Sequence, residues 1–459
     1  MFKPVASKVS FPELEQGILS FWQEKRIFER SVEQRQGGPQ YVLYEGPPTA
    51  NASPGIHHVL ARVFKDIFPR YKAMKGYHAP RRAGWDTHGL PVELEVENEL
   101  GLKSKPDIEA YGVAEFNSLC RQNVLRYVKE WEELTDRIGF WIDMEHPYIT
   151  FDNGYVETCW WIVKQLWEKG LIYQGYKVTP HCPRCGTSLS SHEVALGDEE
   201  TDDPSIYIKF RLTEASKKKL SEKLHLDNGS VDTFFLAWTT TPWTLPGNTA
   251  LAVAPDAEYA VVEGATGRLI LAADLVEKIG LESYETVTTS VGANLVGLHY
   301  ERLYEIPIAY GQGDKPAFRT IEGDFVSMDE GTGIVHIAPA YGQVDFEVAE
   351  KEGLPLVHTV DLSGRVESDL ITGLTPQKRK EIREASEPVM VMLPRPRLTL
   401  PGSGKFVKDA DPLILEDLKS RGLLYRRETI RHTYPFCWRC TTPLLYYAKP
   451  SWYIKTTAM

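Results

Sequence analysis

The sequence predicts an α/β protein whose chain is interrupted by a β-rich block, and three observations carry this. Tyr41-Val-Leu-Tyr44, the Gly/Pro-rich turn from Gly46-Pro47-Pro48 to Gly55, and an apolar stripe of Leu60, Phe64, Ile67 and Tyr71 read as strand, turn and helix. That order opens a parallel α/β unit. Residues 205–365 change to β-branched and aromatic runs separated by turns. Two C-x-x-C pairs, Cys182-Pro-Arg-Cys185 and Cys437-Trp-Arg-Cys440, stand far apart in the chain. If they share one metal, everything between them is an insertion.

Taken in order, Ser10-Phe-Pro-Glu13 reads as a capping box with proline in the first turn. Leu14, Ile18, Phe21 and Trp22 then recur at helical spacing, so residues 11–30 are expected to form an amphipathic helix on the main body. After the strand at Tyr41, the turn brings backbone N–H groups to a helix N-terminus, where phosphate is favoured. Pro69 predicts a kink in that helix and Gly76 its end. Residues 105–140 and 153–170 read as helices, the second carrying Trp160, Trp161, Ile162 and Leu166 and ending at Gly170. Ser205–Phe210, Thr233–Trp238 and Arg268–Ala272 are the clearest strands of the β-rich block. Residues 366–404, with Lys378-Arg-Lys380, Leu393-Pro-Arg-Pro-Arg397 and the closing Pro401-Gly-Ser-Gly404, read as a loop or a mostly exposed helix and linker.

A chain of 459 residues is too long for one core, so two or three domains are expected. Apolar residues at 42% and charged residues at 25% are ordinary for a globular protein. A net charge of −11 excludes a generic nucleic-acid coat, and any RNA contact must come from local patches. Lys217-Lys-Lys219 is one such run, equally readable as a solvated face. Six cysteines, of which only Cys120 and Cys159 fall outside the two pairs, do not build a disulfide scaffold and fit a reducing cytoplasm. No apolar run suggests a membrane span, and residues 1–10 do not read as a signal peptide.

Two residues between cysteines let both thiolates reach one ion from a tight turn. Four thiolates, Cys182, Cys185, Cys437 and Cys440, make a closed tetrahedral shell suited to structural zinc. The other reading is two separate reduced knuckles without metal. His181, His192 and His432 are spare ligands that read as surface histidines.

Four strings occur in order: Glu45-Gly-Pro-Pro-Thr-Ala-Asn51, Gly84-Trp-Asp-Thr-His-Gly-Leu-Pro91, Trp238-Thr-Thr-Thr-Pro-Trp-Thr-Leu-Pro-Gly-Asn248 and Gly331-Thr-Gly-Ile-Val-His-Ile-Ala-Pro339. With them the chain resembles the isoleucyl-tRNA synthetases of class I, from its first helix to Trp452. Relatives for valine and leucine share the plan. The Gly-Trp-Asp-Thr-His-Gly string and Glu93-Leu-Glu-Val-Glu97 favour isoleucine. The resemblance implies the first half of a Rossmann-type catalytic domain over 1–180 and a zinc-binding connective region over 181–200 and 429–459. An inserted editing domain would span 201–428. It implies ATP with Mg, isoleucine and tRNA-Ile as partners, and a cytoplasmic monomer. Pro47 and Asp86 match positions lining the amino-acid pocket, with Asp86 holding the substrate ammonium. On its own, Asp86 could be a turn residue or a helix cap.

The family's His-x-Gly-His signature falls on Gly55-Ile56-His57-His58, with the first and third positions exchanged. The resemblance assigns the signature to ATP binding and transition-state support, and His58 keeps its place. A ring at 57 crowds the adenine unless the backbone shifts. The exchange still keeps one glycine and two histidines, and reads as a compensated variant of a bacterial type insensitive to pseudomonic acid; the other reading is a weakened active site.

One methylene separates isoleucine from valine, which for isoleucyl synthetases is a known limit on pocket discrimination, so a second, hydrolytic site is expected. The resemblance implies that Asp345 holds the ammonium of the mischarged amino acid. It places His336 in the pocket that excludes isoleucine, and Thr239, Thr240 and Thr241 at the tRNA 3′ adenosine, where they position water. Threonine hydroxyls both donate and accept, which suits an ester and a water. No Ser or Cys paired with a base is evident, so direct attack by water is preferred to a covalent route. Taken singly, the threonines suit a strand edge, Asp345 a helix cap and His336 a core histidine.

The family's Lys-Met-Ser-Lys-Ser signature does not occur, so the chain is expected to correspond to an N-terminal part. Alone it is expected to make little adenylate, while its contiguous editing domain is expected to retain hydrolysis. Two rival readings stand beside this one, a free-standing aminoacyl-tRNA deacylase and a zinc-stapled RNA-binding module without catalysis.

Overall fold

In the computed structural model the described residues are 8–102, 105–226, 231–281, 283–306, 315–367 and 399–458. Lys378-Arg-Lys380 and the Pro-rich run at 393–397 lie outside them. The chain divides into two compact units, Met1–Tyr173 with Ile454–Met459, and Gln174–Tyr453.

The first unit is built on a parallel sheet in the order Leu43–Tyr44, Arg81–Trp85, Asp143–Ile149. Each crossover runs through helix, as the strand–turn–helix pattern requires. The first crossover is the helix Ile56–Met74, which continues through Pro69 without a break. The second holds Leu90–Leu100, Lys105–Tyr111, Val113–Asn123 and Val128–Arg137. Gly84 is needed where the strands meet, because a Cβ there would fall 2.3 Å from the Tyr148 ring.

Three local expectations are corrected in this unit. The N-terminal helix is two helices, Phe11–Glu24 and Ile27–Glu33, parted by Arg26 in the left-handed region at φ 49°. Ser10 occupies the N-cap, but its side chain makes no capping bond. On that helix Trp22 packs edge-on to Trp141, while Leu14, Ile18 and Phe21 stay exposed. In Ile56–Met74 it is Arg62, Pro69 and Ala73 that are buried, and Leu60, Phe64, Ile67 and Tyr71 that face outward. Periodicity located this helix and its stripe. Which face the sheet takes depends on partners that spacing does not contain.

The second unit holds a nine-stranded sheet. Its main path runs Glu285–Val291, Glu258–Gly264, Gly267–Ala272, Thr233–Thr239, Ile334–Ile337, Ala250–Val253, Arg319–Glu322. Thr233–Thr239 also pairs with Asp198–Arg211, which pairs with Leu424–Pro435. The three strands expected from composition all form. Strands covered on both sides read as continuous apolar runs, and Phe234, Phe235, Leu236, Ala237, Leu269 and Ile270 are all buried. A separate three-stranded sheet joins Leu445–Ile454, Ile172–Cys182 and Thr187–Ser188. The cysteine region and the large sheet belong to one compact unit, and the division falls at Tyr173/Gln174 and Tyr453/Ile454. The strands Ile172–Cys182, Asp198–Arg211 and Leu424–Pro435 run across positions 180, 200 and 428.

Candidate active sites

In the first unit, the turn after Leu43–Tyr44 meets the end of the next strand where the Asp86 amide donates to Pro48 O at 3.0 Å and Thr49 bridges Asp86. Pro47 and Asp86 are therefore neighbours. Gly55 is the N-cap of Ile56–Met74 in extended conformation, and its N–H donates to His58 Nδ1 at 2.9 Å. That bond leaves the proton of a neutral His58 on Nε2. Burial, then the charges of His57, Arg62 and Lys65, pulls His58 below its ordinary pKa. The two imidazoles lie 3.8 Å apart between centroids, and His58 packs on Trp131 at 4.6 Å. Trp131 in turn clusters with Ala50 and Trp85.

The exchanged signature has a steric counterpart. A Cβ added at Gly55 would fall 2.8 Å from His57 Cε1. The ring from position 57 thus occupies the space into which a side chain at 55 would project. Sequence reasoning missed a second set of groups here. Thr87 and Thr150 lock the Gly-Trp-Asp-Thr-His-Gly turn through a 2.9 Å bond from Thr87 N to Thr150 Oγ1 and a 3.0 Å bond from Phe151 N to Thr87 Oγ1. Lys65 pairs with the buried Glu45.

In the second unit a cavity of about 470 Å³ gathers Thr239, Thr240, Thr241, His336 and Asp345 on one wall or another. These residues come from the strand Thr233–Thr239, the strand Ile334–Ile337 and the helix Gln343–Glu352. Thr239 Oγ1 accepts the Thr241 amide at 3.2 Å and lies 3.2 Å from Thr241 Oγ1. Asp345 Oδ2 accepts the Ala338 amide at 2.7 Å, so the carboxylate spans from its helix to the strand end. Burial pushes that carboxyl up to about 6, against the Ala338 bond. It is therefore ionised at pH 7.5, and among the described residues no positive group pairs with it.

His336 is buried and held at both nitrogens. Asn248 Nδ2 lies 3.3 Å from Nδ1, and Thr244 Oγ1 lies 2.8 Å from Nε2. The amide can only donate, so Nδ1 accepts and Nε2 carries the proton toward Thr244. Burial drives the ring down to about 4, so it stays neutral through the physiological range. Thr244 passes its own proton to Thr241 O at 2.8 Å, and Tyr300 fixes Asn248 by donating to Oδ1 at 2.6 Å. Thr244 and Asn248 stood inside a quoted string, yet only the fold brings them to His336; Tyr300 carried no signal.

The four cysteines meet. Their sulfurs all lie within 4.8 Å of one another, with Cys182 and Cys437 buried and Cys185 and Cys440 half-buried. A tetrahedral ion with ~2.3 Å sulfur bonds needs sulfurs about 3.8 Å apart. Cys182–Cys440 at 3.5 Å and Cys185–Cys440 at 3.6 Å are close to that. The two knuckles share one backbone shape: the residue after each second cysteine, Gly186 at φ 67° and Thr441 at φ 55°, is left-handed. The cluster is compatible with zinc. His181 is not a surface histidine, being buried with Nε2 2.8 Å from Leu362 O.

The family model described as tRNA synthetases class I (I, L, M and V) matches residues 17–459, and the chain belongs to this family. Within it the chain is similar to isoleucine–tRNA ligases. One from Dehalococcoides mccartyi is 50% identical over 473 residues, covering 100% of this chain and 44% of the relative. One from Thermus thermophilus is 48% identical over 457 residues, covering 100% and 39%. One from Thermobifida fusca is 46% identical over 459 residues, again covering 100% and 39%. The chain thus spans less than half the length of these relatives.

Proposed function

We propose that this chain is part of an isoleucine–tRNA ligase and that its second unit hydrolyses valine mischarged onto tRNA-Ile. The likeness to isoleucine–tRNA ligases along the whole chain favours isoleucine as the amino acid. The observation that carries the hydrolytic reading is the cavity that sets an ionised, under-compensated Asp345 opposite a fixed neutral His336 and a run of threonine hydroxyls.

In this reading the Asp345 carboxylate takes the valyl ammonium, a charge-assisted bond that supplies the partner it lacks. His336, buried and immobile, limits the depth available to the side chain. Thr239 and Thr241 hold the 3′ ribose and the attacking water. Water oxygen bonds to the ester carbonyl carbon, the bond to the ribose oxygen breaks, and that oxygen leaves with a proton. Neither His336 nor a threonine needs to become a nucleophile.

In the first unit, the backbone N–H groups at the start of Ile56–Met74, His57 and His58 would face ATP phosphates with Mg, and Asp86 would face the isoleucine ammonium. Cys182, Cys185, Cys437 and Cys440 would hold one zinc in a closed, structural shell.

The test uses the chain as it stands with valyl-tRNA-Ile and isoleucyl-tRNA-Ile labelled in the amino acid. Release of valine but not isoleucine, lost in Asp345→Ala, is the expected result. Equal release from both esters, or full activity in Asp345→Ala, would overturn the reading.

A further inference from the structure

One wall of the cavity is an aromatic ring whose hydroxyl is engaged elsewhere. Tyr341 lines the cavity and is 6% exposed. Its Oη accepts the Thr359 amide at 2.6 Å and the Val360 amide at 2.9 Å, and lies 3.0 Å from Thr359 Oγ1. Two amides fill the acceptor side of the phenol, so its own proton goes to Thr359 Oγ1. Burial pushes the phenol up to about 12, so that proton stays in place at neutral pH. No part of the hydroxyl is left for a substrate. Into the cavity Tyr341 offers only carbon.

The ring is held as closely as the hydroxyl. It packs edge-on against Trp243 at 5.0 Å and against Tyr447 at 5.9 Å between centroids. Trp243 belongs to the short 3₁₀ helix Pro242–Gly247. A Cβ at Gly247 would fall 3.0 Å from Tyr341 Cε2, so this helix lies directly on the ring. The same helix carries Thr244, the partner of His336 Nε2. On the other side, the residue after Tyr341 is Gly342, where a Cβ would fall 2.6 Å from Asp345 Cγ. Tyr341 therefore stands between the element that fixes His336 and the turn that meets the Asp345 carboxylate. In the reading above, these are the places of the substrate side chain and of its ammonium.

Telling valine from isoleucine by exclusion requires a wall that does not yield. One extra methylene against an apolar wall is worth only about 10- to 200-fold, the limit already noted for these enzymes. A ring able to shift would take up the methylene at small cost, because packed side chains give way partly around an added carbon. We propose that Tyr341 determines specificity in the hydrolytic site: its clamped ring is the wall that refuses the extra methylene of isoleucine. The inference rests on the hydrolytic reading above and adds a division of labour to it. Asp345 holds the ammonium, His336 closes the depth of the pocket, and Tyr341 sets its width. The two amides of residues 359 and 360 keep that width fixed.

The experiment measures kcat/KM for valyl-tRNA-Ile and isoleucyl-tRNA-Ile with the full chain, for wild type, Tyr341→Phe, Tyr341→Leu and Thr359→Val. The quantity read is the ratio of valyl to isoleucyl hydrolysis. Phe keeps the ring and releases the clamp. Its valyl hydrolysis should fall by about two- to threefold and its isoleucyl hydrolysis rise by about fivefold, so the ratio shrinks by about tenfold. Leu removes the ring and should shrink the ratio by about 20-fold or more. Thr359→Val takes away the acceptor of the phenol proton and leaves both amides in place, and should shrink the ratio by about two- to threefold. A residue that only supported the fold would lower thermal stability and slow both esters together, with the ratio unchanged. An unchanged ratio in the Tyr341 variants overturns this inference alone. Should neither of them fold, an unchanged ratio in Thr359→Val overturns it in their place. A wild type silent on valyl-tRNA, or one that releases both amino acids equally, overturns the hydrolytic reading and this inference with it.

Discussion

Replacing Asp345 by Asn separates what the carboxylate does for hydrolysis from what it costs the fold. The folded protein raises this carboxyl to about 6, chiefly by burial. The sign follows from linkage. A carboxyl raised on folding contributes its full stability below the unfolded value near 3.9, and that contribution is lost as pH rises through about 6. About two pKa units correspond to roughly 3 kcal/mol, and water reaching a half-buried group reduces this to about 1–3 kcal/mol. Asn has no charge to desolvate and can still accept the Ala338 amide. Asp345→Asn should therefore unfold at higher denaturant than wild type at pH 8, by about 1–3 kcal/mol, and the difference should shrink to about half of that at pH 5 and vanish only below about pH 4. Hydrolysis should move the other way. A hydrogen bond to a charged group is worth about 1.5–3 kcal/mol, so valyl-tRNA hydrolysis at pH 8 should drop by about 10- to 100-fold. Urea titrations at both pH values, run beside the hydrolysis assay, read both effects. An Asn variant that is destabilised equally at pH 5 and pH 8 would show that the carboxylate exists to hold the strand end, and the substrate role would fail.

For wild type, the KM for valyl-tRNA should rise as pH falls below about 6, with kcat less affected, because the bound ammonium keeps Asp345 ionised; a pH-independent KM would contradict this. Gly55→His alone should destabilise the first unit through the contact with His57, and adding His57→Gly should recover it, with a coupling of about 0.5–3 kcal/mol in a double-mutant unfolding cycle. Additive effects would mean that the two positions do not share space. Gly84→Ala pushes a methyl into the Tyr148 ring and should cost about 1–3 kcal/mol in a denaturant titration, where an unchanged midpoint would count against the packing shown.

Much of both sites was legible because their residues travel in short strings. Thr239, Thr240 and Thr241 are contiguous, and His336 and Asp345 lie nine residues apart across one strand-to-helix turn, so local sequence nearly specifies the wall they share. The cysteine pairs were legible for a different reason, since the same two-residue spacing occurs twice and each pair can supply half of one four-thiolate shell. What remained hidden is assembled across distance. Tyr300 reaches Asn248, and Asp203 meets Lys408 from a distant segment, with no periodicity or spacing to mark them. Ser10 shows the opposite failure. A capping pattern was present, yet the side chain makes no capping bond, because a local preference worth about 1 kcal/mol does not decide a frayed end. The stripe Leu60, Phe64, Ile67 and Tyr71 marked a helix, and its residues are exposed.

The cysteine cluster is best understood through what already joins the ends of the second unit. A cross-link over so long a loop would by itself remove about 5.5 kcal/mol of unfolded-state entropy. Here, though, the ends are brought together twice by backbone. On the inner side, Asp198–Arg211 pairs with Leu424–Pro435 as far as Asp198↔Pro435. On the outer side, Ile172–Cys182 and Leu445–Ile454 share a sheet. The cysteines at 182–185 and 437–440 occupy the short stretch between these two pairings, on both strands of the path. A metal there has little loop left to close; it fixes the junction from one sheet to the next. The pocket's hydrogen bonds run among residues 239–345, all inside the inner pairing. Zinc removal, or Cys437→Ser, should therefore raise amide hydrogen exchange at 182–190 and 437–445 first, and elemental analysis of the wild-type chain should find about one zinc. Valyl-tRNA hydrolysis should change less than twofold over the same interval. Loss of hydrolysis before any rise in exchange at the junction would mean that the metal supports the pocket directly, contrary to the path the strands describe.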